Sequence, residues 1–200
     1  TLSGAKTDID NRAIDDLTQD LSRPPIVPDS ADYDEARRVF NKMIDKRPAL
    51  IVRCGGVADV LRALRFARDH DLIVAVRGGA HNAAGFATCD GGIVIDLSPM
   101  RGVRVDVDNR LVRAEGGATW GDVDRETQAF GLVAVGGIVS TTGVAGLTLG
   151  GGQGWFRRTF GMTCDNLVSA DVVTADGRLL SVSETAQPEL FWALKGGGGN

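Results

Sequence analysis

Residues 49–82 read ALIVRCGGVADVLRALRFARDHDLIVAVRGGAHN, and the core of the fold is predicted from this stretch. Ala49 to Arg53 is a short apolar run typical of a buried strand, and Leu72 to Val76 is a second one. Between the two runs, apolar side chains recur at helical spacing, at Val57, Val60, Leu61, Leu64 and Ala67. The order predicts a βαβ unit with parallel strands, and ligands commonly bind beyond the carboxyl ends of such strands.

Two helical patterns precede this unit. Apolar residues recur every four positions from Ile9 to Leu21, behind Thr7 and Asp8, which can cap a helix. A second helical stretch is predicted within Pro28 to Arg47, ended by Pro48, with one apolar stripe at Ala36, Phe40 and Ile44. We therefore expect an N-terminal helical segment over residues 1–45 and a second, larger domain over residues 46–200.

The second half of the chain has the pattern of short strands joined by turns. The predicted elements are a strand over Ile93–Leu97, antiparallel strands over 103–107 and 111–115, a helix over Trp120–Phe130, and a hairpin of Leu167–Thr174 with Leu179–Val182. The architecture is thus expected to be mixed α+β, with a second lobe from about Leu97.

Composition excludes several classes of function. The 200 residues carry a net charge of -4 with scattered Lys and Arg, whereas nucleic-acid binding needs clustered positive charge. No apolar run approaches the roughly 18 residues of a membrane helix, and no signal peptide is evident. We expect a soluble protein, cytoplasmic rather than secreted, without nucleic-acid or membrane partners. The widely spaced Cys54, Cys89 and Cys164 indicate neither disulfides nor a metal site.

The first glycine loop, Gly78-Gly79, directly follows the second predicted strand and ends at His81. Backbone N–H groups without a nearby Cβ suit phosphate binding, and Arg77 would add charge or support the loop. A tight turn that merely reverses the chain is the alternative. A neutral imidazole is a good nucleophile, although most histidines are caps or core residues. His70 is assigned to a charged helix end.

A second glycine-rich stretch, GGIVSTTGVAGLTLGGGQGW, covers residues 136–155. Its interleaved apolar residues are not typical of a linker, and it matches neither GxGxxG nor GxxxxGK[ST]. Rossmann and nucleotide-hydrolase folds are therefore disfavoured. A large rigid ligand against bare backbone explains the stretch better than a packing loop does. Cys164 follows in a third glycine-containing loop, and its alternative is an inert buried thiol, the class assigned to Cys54 and Cys89.

Four segments carry a resemblance to a known family: RGGAHN at 77–82, CDGGIVIDLSPMRGV at 89–103, residues 136–155, and GMTCDNLVSADVVTADG at 161–177. From about Tyr33 onward the chain resembles the FAD-linked oxidases of the vanillyl-alcohol oxidase and p-cresol methylhydroxylase (PCMH) superfamily, in the berberine-bridge-enzyme-like branch. The resemblance implies a PCMH-type FAD-binding domain of two small α/β lobes with the cofactor between them.

The resemblance also implies the cofactor contacts. In that branch the histidine of the first motif bonds the flavin methyl carbon and the cysteine of the last motif bonds the neighbouring ring carbon, roles that fall on His81 and Cys164. The expected FAD-binding set is Arg77, Gly78, Gly79, Ala80, His81, Asn82, Gly137, Val139, Thr141, Thr142, Gly143, Gly146, Gly150, Gly151, Gly152, Cys164, Asn166 and Val173.

Finally, the resemblance implies an activity. Such enzymes take a hydride from an alcohol, sugar, amine-bearing or secondary-metabolite carbon onto flavin N5 and return the electrons to O2, which makes H2O2. In such enzymes a tyrosine commonly removes the substrate proton. Tyr33, the only tyrosine, precedes the cofactor region, so the catalytic base is expected beyond Asn200. We expect the chain to be incomplete at its carboxyl end. A truncated non-catalytic flavin-binding module and a dehydrogenase of the same fold remain alternatives, and the sequence leaves the oligomeric state open.

Overall fold

The computed structural model describes residue 4 and residues 7–197, and the chain divides into two compact units, Thr1–Met100 and Arg101–Asn200. Both units mix helices with short strands, so the predicted α+β architecture of two lobes is confirmed. Residues 7–45 belong to the first unit. The predicted domain boundary between residues 45 and 46 stays a prediction.

A parallel sheet forms the centre of the first unit. Its strands are β1 (Leu50–Arg53), β2 (Val74–Arg77) and β3 (Ile93–Asp96), in the order β1-β3-β2. The predicted parallel βαβ unit is confirmed, and β3 lies between the two strands that the pattern identified first. Every residue of β3 is buried, including Asp96 at its end, and the apolar run 93–95 is typical of a central strand.

Two helices of this unit contribute to its core. They are α1 (Asn11–Gln19) and α3 (Val57–Asp69), and Leu17 of α1 and Phe66 of α3 join the cluster formed by β1 and β3. Both helices were predicted. The cap of α1 is Asp10, whose carboxylate accepts the N–H of Ala13 at 2.7 Å, so Thr7 and Asp8 were wrong as cap residues.

The prediction of a long helical stretch before Pro48 is wrong. Only α2 (Tyr33–Ala36) forms, and Phe40, placed on its apolar stripe, is 65% exposed. The physical reason is that tertiary hydrogen bonds replace the helical ones. The hydroxyl of Tyr33 donates to the carbonyl of Pro48 at 2.7 Å, and the N–H of Phe40 donates to the carbonyl of Ala80 at 3.1 Å.

The second unit contains two antiparallel hairpins and several short helices. The elements are β4 (Val103–Asp106), β5 (Leu111–Ala114), α4 (Trp120–Gln128), α5 (Val144–Leu149), α6 (Arg157–Phe160), a 3-10 turn (Thr163–Asn166), β6 (Ser169–Val173), β7 (Leu179–Ser183) and α7 (Pro188–Ala193). Both predicted hairpins and the predicted helix after Thr119 are confirmed. Across the described residues, no helix is both long and apolar enough to cross a membrane.

Candidate functional site

The first glycine loop begins where the parallel sheet of the first unit ends. Arg77 closes β2 in register with Asp96 of β3, and Asp96 is in register with Arg53 of β1, so all three mark the carboxyl edge. Gly78, Gly79, Ala80 and His81 are half-buried directly beyond that edge, and Asn82 is exposed. The loop thus lies where the strand order predicted a ligand loop.

The side chain of Arg77 points into the first unit. Its guanidinium donates to the carbonyls of Ala36, Arg37 (3.5 Å) and Ala87 (3.3 Å), and it lies 3.8 Å from the carboxylate of Asp96. Burial lowers the pKa of Arg77, an effect opposed by the charge of Asp96. Of the two roles considered from the sequence, these contacts support the second, in which Arg77 supports the loop.

His81 lies against an aromatic ring. The imidazole stacks on Phe40 with ring centroids 4.2 Å apart and planes inclined by 17°. Ala80, the preceding residue, has a φ of +56°, a left-handed conformation that L-residues rarely adopt. Sequence reasoning missed Phe40 as a neighbour of His81, because the contact is made by an irregular segment and leaves no periodic signal.

The second glycine-rich stretch lies in the other unit, around α5. Several of its glycines are required by packing within the chain. A Cβ on Gly136 would overlap the indole of Trp120, one on Gly137 would lie 2.6 Å from Leu147 Cδ1, and one on Gly152 would overlap Thr163. At Gly137 and Gly152, glycine is therefore not by itself a sign of a ligand, contrary to our interpretation of the whole stretch.

Gly146 differs from these positions. It lies within α5, is exposed, and a Cβ there would meet no atom within 4 Å. Glycine is a poor helix former, so neither local conformation nor packing within the chain explains it. This position retains the argument for a ligand against bare backbone.

Cys164 is tied directly to the glycine stretch. Its N–H donates to the carbonyl of Gly151 at 2.9 Å, and the N–H of Thr163 donates to Gly152 at 3.0 Å. Gly151 and Gly152 have φ values of +99° and +78°, which this close pairing of two turns requires. The structure therefore brings Cys164 beside two of the glycines predicted to bind the cofactor.

Cys164 is only 6% exposed, and the surroundings of its thiol are partly polar. Its Sγ lies 3.9 Å from Asp165 Oδ1. A Cβ on Gly196, after α7, would lie 3.7 Å from this Sγ and 3.7 Å from the Cα of Gly151. The backbone after α7 therefore passes beside the thiol, and Gly196 places no side chain against it.

Two buried polar atoms near this glycine stretch have no hydrogen-bond partner within the described chain. They are Thr163 Oγ1, in contact with Gly152, and Trp120 Nε1, 3.5 Å from the Cβ position of Gly137. Unpaired buried donors are costly and indicate a missing partner. FAD carries phosphate and carbonyl oxygens that accept hydrogen bonds, so these residues fit that group.

The remaining predicted residues have varied positions. Thr142 and Val173 are half-buried, and Gly143 is buried at the start of α5. The amide nitrogen of Asn166 donates to the carbonyls of Phe160 (2.9 Å) and Met162 (2.8 Å), so it closes its own loop. The exposed members are Val139, Thr141, Gly150 and Asn166 itself. The described part of the chain holds no group of three or more potential metal ligands.

Comparison with known proteins decides the family. The protein family described as 'FAD binding domain' matches residues 48–183 of the sequence. This range includes both glycine-rich segments, His81 and Cys164. The chain belongs to this FAD-binding family. The resemblance to the PCMH-type and berberine-bridge-enzyme-like proteins, drawn from the sequence, is thereby confirmed.

One sequence match and two structure matches illustrate the similarity. (R)-6-hydroxynicotine oxidase of Paenarthrobacter nicotinovorans is 40% identical over 175 residues, covering 88% of this chain and 38% of the relative. The crystal structure of 6-hydroxy-D-nicotine oxidase from Arthrobacter nicotinovorans has a TM-score of 0.86 at 39% identity, covering 88% of this chain and 39% of that one. Glucooligosaccharide oxidase from Acremonium strictum, described with a 6-S-cysteinyl, 8α-N1-histidyl FAD, has a TM-score of 0.81 at 36% identity, covering 87% and 37%.

The chain spans about two fifths of the length of the curated relatives that it matches. The match therefore covers the FAD-binding part of these relatives.

Proposed function

We propose that this chain is the flavin-binding part of an FAD-dependent oxidase and that it holds FAD through two covalent bonds, to His81 and to Cys164. One observation carries the proposal: within a chain of this family, the backbone N–H groups of Thr163 and Cys164 pair with the left-handed glycines Gly152 and Gly151, and the buried Thr163 hydroxyl has no partner among the described residues. The printed description of glucooligosaccharide oxidase, with one cysteinyl and one histidyl bond to FAD, supports the same chemistry here.

Each residue has a defined role in attachment. When FAD is bound, a ring nitrogen of His81 would be bonded to its 8α-methyl carbon and the sulfur of Cys164 to its ring carbon C6. At each site an N–H or S–H bond and a C–H bond are replaced by one C–N or C–S bond. The two protons and two electrons released at each site pass to O2, which becomes H2O2. Attachment therefore requires oxygen or another two-electron acceptor.

The glycine loops would bind the cofactor through backbone groups. Gly78 and Gly79 follow the carboxyl edge of the parallel sheet, where N–H groups suit the pyrophosphate. Gly146 offers bare helix surface for a flat ring, and Thr163 Oγ1 offers an unused hydrogen bond. When bound, FAD supplies the redox chemistry by accepting a hydride from substrate and passing two electrons to O2. The covalent bonds would hold it in place through that cycle.

The proposed substrate is a small molecule with an oxidisable alcohol, sugar or amine-bearing carbon, including secondary metabolites, and the proposed acceptor is O2. The names of the relatives, a hydroxynicotine oxidase and a glucooligosaccharide oxidase, support an oxidase that acts on small molecules. We keep the soluble, cytoplasmic setting as part of the same proposal.

Attachment is tested first, on the chain as expressed with FAD. Acid-precipitated protein should remain yellow, and its intact mass should exceed that of the apoprotein by one FAD less four hydrogens. His81→Ala should keep a cysteinyl bond and Cys164→Ala a histidyl bond, with flavin found on the expected tryptic peptide. The double variant should release all its flavin on denaturation. Release of all flavin from the unmodified chain would refute bicovalent attachment.

Turnover is tested on protein whose flavin is shown to be attached. Anaerobic addition of alcohols, sugars and amines should bleach the yellow colour, and readmission of air should restore it with formation of H2O2. Colour that persists with every substrate class would favour a flavin-binding module without turnover. Bleaching that is reversed by an artificial quinone but not by air would favour a dehydrogenase of the same fold.

A further inference from the structure

Phe40 occupies an unexpected position for a large apolar side chain. It is 65% exposed, so packing into a core does not account for its place. Its ring instead lies nearly parallel to the imidazole of His81, with centroids 4.2 Å apart and an angle of 17° between the planes. Offset stacking at this distance is a favourable aromatic geometry. The imidazole is therefore the contact that explains the position of Phe40.

The segment that carries Phe40 is bound to the loop of His81 at several points. We call residues 40–46 the brace. Besides the bond from Phe40 N–H to the carbonyl of Ala80 (3.1 Å), the amide of Asn41 donates to the carbonyl of Ala83 at 2.8 Å. The brace thus holds the loop on both sides of His81.

The far end of the brace is equally fixed. The ammonium group of Lys46 donates to the carbonyls of Gly85 and Thr88, each at 3.4 Å. Ile44 packs so closely on Gly85, which has a φ of +75°, that a Cβ there would lie 2.7 Å from Ile44 Cγ2. Loop 80–88 and the brace therefore form one interlocked surface within the first unit.

Two restraints act on His81 itself. The backbone of Ala80 is left-handed, with a φ of +56°, and its carbonyl is held by the N–H of Phe40, which fixes the direction in which the next side chain leaves the loop. The ring of Phe40 then fixes the plane of the imidazole. The lone pair of an imidazole nitrogen lies in the ring plane, so a partner stacked on the face of the ring sets the direction in which that lone pair points.

We propose that Phe40 is a positioning residue for covalent flavin attachment at His81, an inference that rests on the function proposed above. The stacked ring holds the attacking nitrogen in one plane before FAD arrives. Reactions between held groups are sensitive to orientation, so loss of the stack should slow attachment at His81 by roughly 10-fold or more. Attachment at Cys164 should be unaffected.

The kinetic test uses the Cys164→Ala background, in which His81 is the only attachment residue. Flavin-free protein is mixed with FAD in air, and covalent yield is followed by acid precipitation. Phe40→Leu keeps apolar bulk but removes the aromatic face and should be slow, whereas Phe40→Tyr should restore the rate. The matched control is Phe86→Leu, because Phe86 is 70% exposed on the same loop. It should attach FAD at the rate of the parent.

A spectroscopic test needs no flavin. The chain has two histidines, and His70 stacks on Phe66 with centroids 4.2 Å apart, which gives an internal reference. Phe40→Leu should move the imidazole proton resonances of His81 downfield by removing the ring current, while those of His70 stay in place. His70→Gln assigns the two sets. Unchanged His81 resonances in Phe40→Leu would overturn the proposal.

The kinetic outcomes separate the two proposals. If Cys164→Ala attaches no FAD although Phe40 is intact, covalent attachment at His81 is refuted and the positioning role is refuted with it. If Cys164→Ala attaches FAD and Phe40→Leu does so at the same rate, only the positioning role is refuted. A slow Phe40→Leu together with an equally slow Phe40→Tyr would also refute it, because both variants then disturb the loop without regard to stacking.

Discussion

The guanidinium of Arg101 binds the carboxylate of Asp122 at two points, with Nε 3.0 Å from Oδ2 and an NH2 nitrogen 2.6 Å from Oδ1. The same carboxylate caps α4, since it accepts the N–H and the hydroxyl of Thr119, each at 2.8 Å. Burial by itself would raise the pKa of Asp122, but these hydrogen bonds and the charge of Arg101 outweigh it and lower the pKa to about 2. The ion pair and the cap thus join the start of α4 to the segment before β4.

This pKa predicts a dependence of stability on pH. A carboxyl whose folded pKa lies below its unfolded value stabilises the fold above the unfolded pKa and loses that effect as pH falls toward the folded one. Asp122→Asn should therefore lower the free energy of unfolding by at most about 2 kcal/mol at pH 7, because Arg101 is half exposed and solvent screens the pair. The difference from the parent should shrink between about pH 4 and pH 2.

Urea unfolding measured at several pH values checks this dependence. All three tryptophans lie in the second unit, and Trp120 is buried beside the cap, so fluorescence reports on that unit. Asp108→Asn, in the exposed turn of the first hairpin, is the control and should change stability little at any pH. A destabilisation by Asp122→Asn that stays constant down to pH 2 would contradict the assignment.

Gly136 and Gly146 predict opposite effects of the same substitution. Gly136→Ala places a Cβ into the ring of Trp120 and should destabilise the second unit by about 1–3 kcal/mol. Gly146→Ala meets no atom within 4 Å and lies in a helix, so it should be neutral or stabilise by up to about 1 kcal/mol. Thermal unfolding of both variants followed by circular dichroism measures this difference.

Gly146→Ala also separates fold from cofactor binding. If the bare backbone at Gly146 faces the flavin, the added methyl group should weaken FAD binding and lower covalent yield although the protein is as stable as the parent. Fluorescence titration of the flavin-free protein with FAD gives the affinity. Affinity equal to that of the parent would remove Gly146 from the cofactor site and leave its glycine unexplained.

Arg77 predicts a large loss of stability in the first unit. Arg77→Met would leave Asp96 buried without its cation and would remove the donor that serves the carbonyls of Ala36 and Ala87. Breaking a buried ion pair in this way costs about 3–5 kcal/mol. Hydrogen exchange of the amides of β2 and β3 should show the loss, and Arg77→Lys, which keeps the charge but not the fork of donors, should be intermediate.

These residues show how far the sequence alone reaches. The strand and helix periods of residues 49–76 identified β1, α3 and β2, because each pattern depends only on neighbours along the chain. The insertion of β3 between β1 and β2, the inward turn of Arg77 and the stacking of Phe40 on His81 depend on contacts between distant segments. No local pattern encodes those contacts, and the same limitation made the helix predicted before Pro48 wrong.

Glycine shows a similar division. A glycine-rich run such as residues 136–155 indicates positions at which a Cβ atom would clash, but it does not show whether the chain itself or a ligand causes the clash. The structure assigns Gly136, Gly137 and Gly152 to packing against named side chains and leaves Gly146 without such a partner. The sequence therefore located the glycine-rich segment, and only the structure distinguishes the glycines required by packing from Gly146.

The three cysteines predict a count of thiols that tests both the fold and the cofactor chemistry. Cys54 is fully buried, and burial, with the nearby charges of Asp59 and Asp96, raises its pKa to about 12. Burial likewise raises the pKa of Cys89. Because the thiolate is the reactive form, neither should react with iodoacetamide at pH 8 while the protein is folded.

In urea, flavin-free protein should take up three labels, one for each cysteine. Protein carrying FAD should take up one fewer, since the sulfur of Cys164 is then bonded to carbon, and peptide mapping should place the missing label there. Three labels on the flavin-loaded, unfolded chain would show that Cys164 holds no flavin, whatever the state of His81.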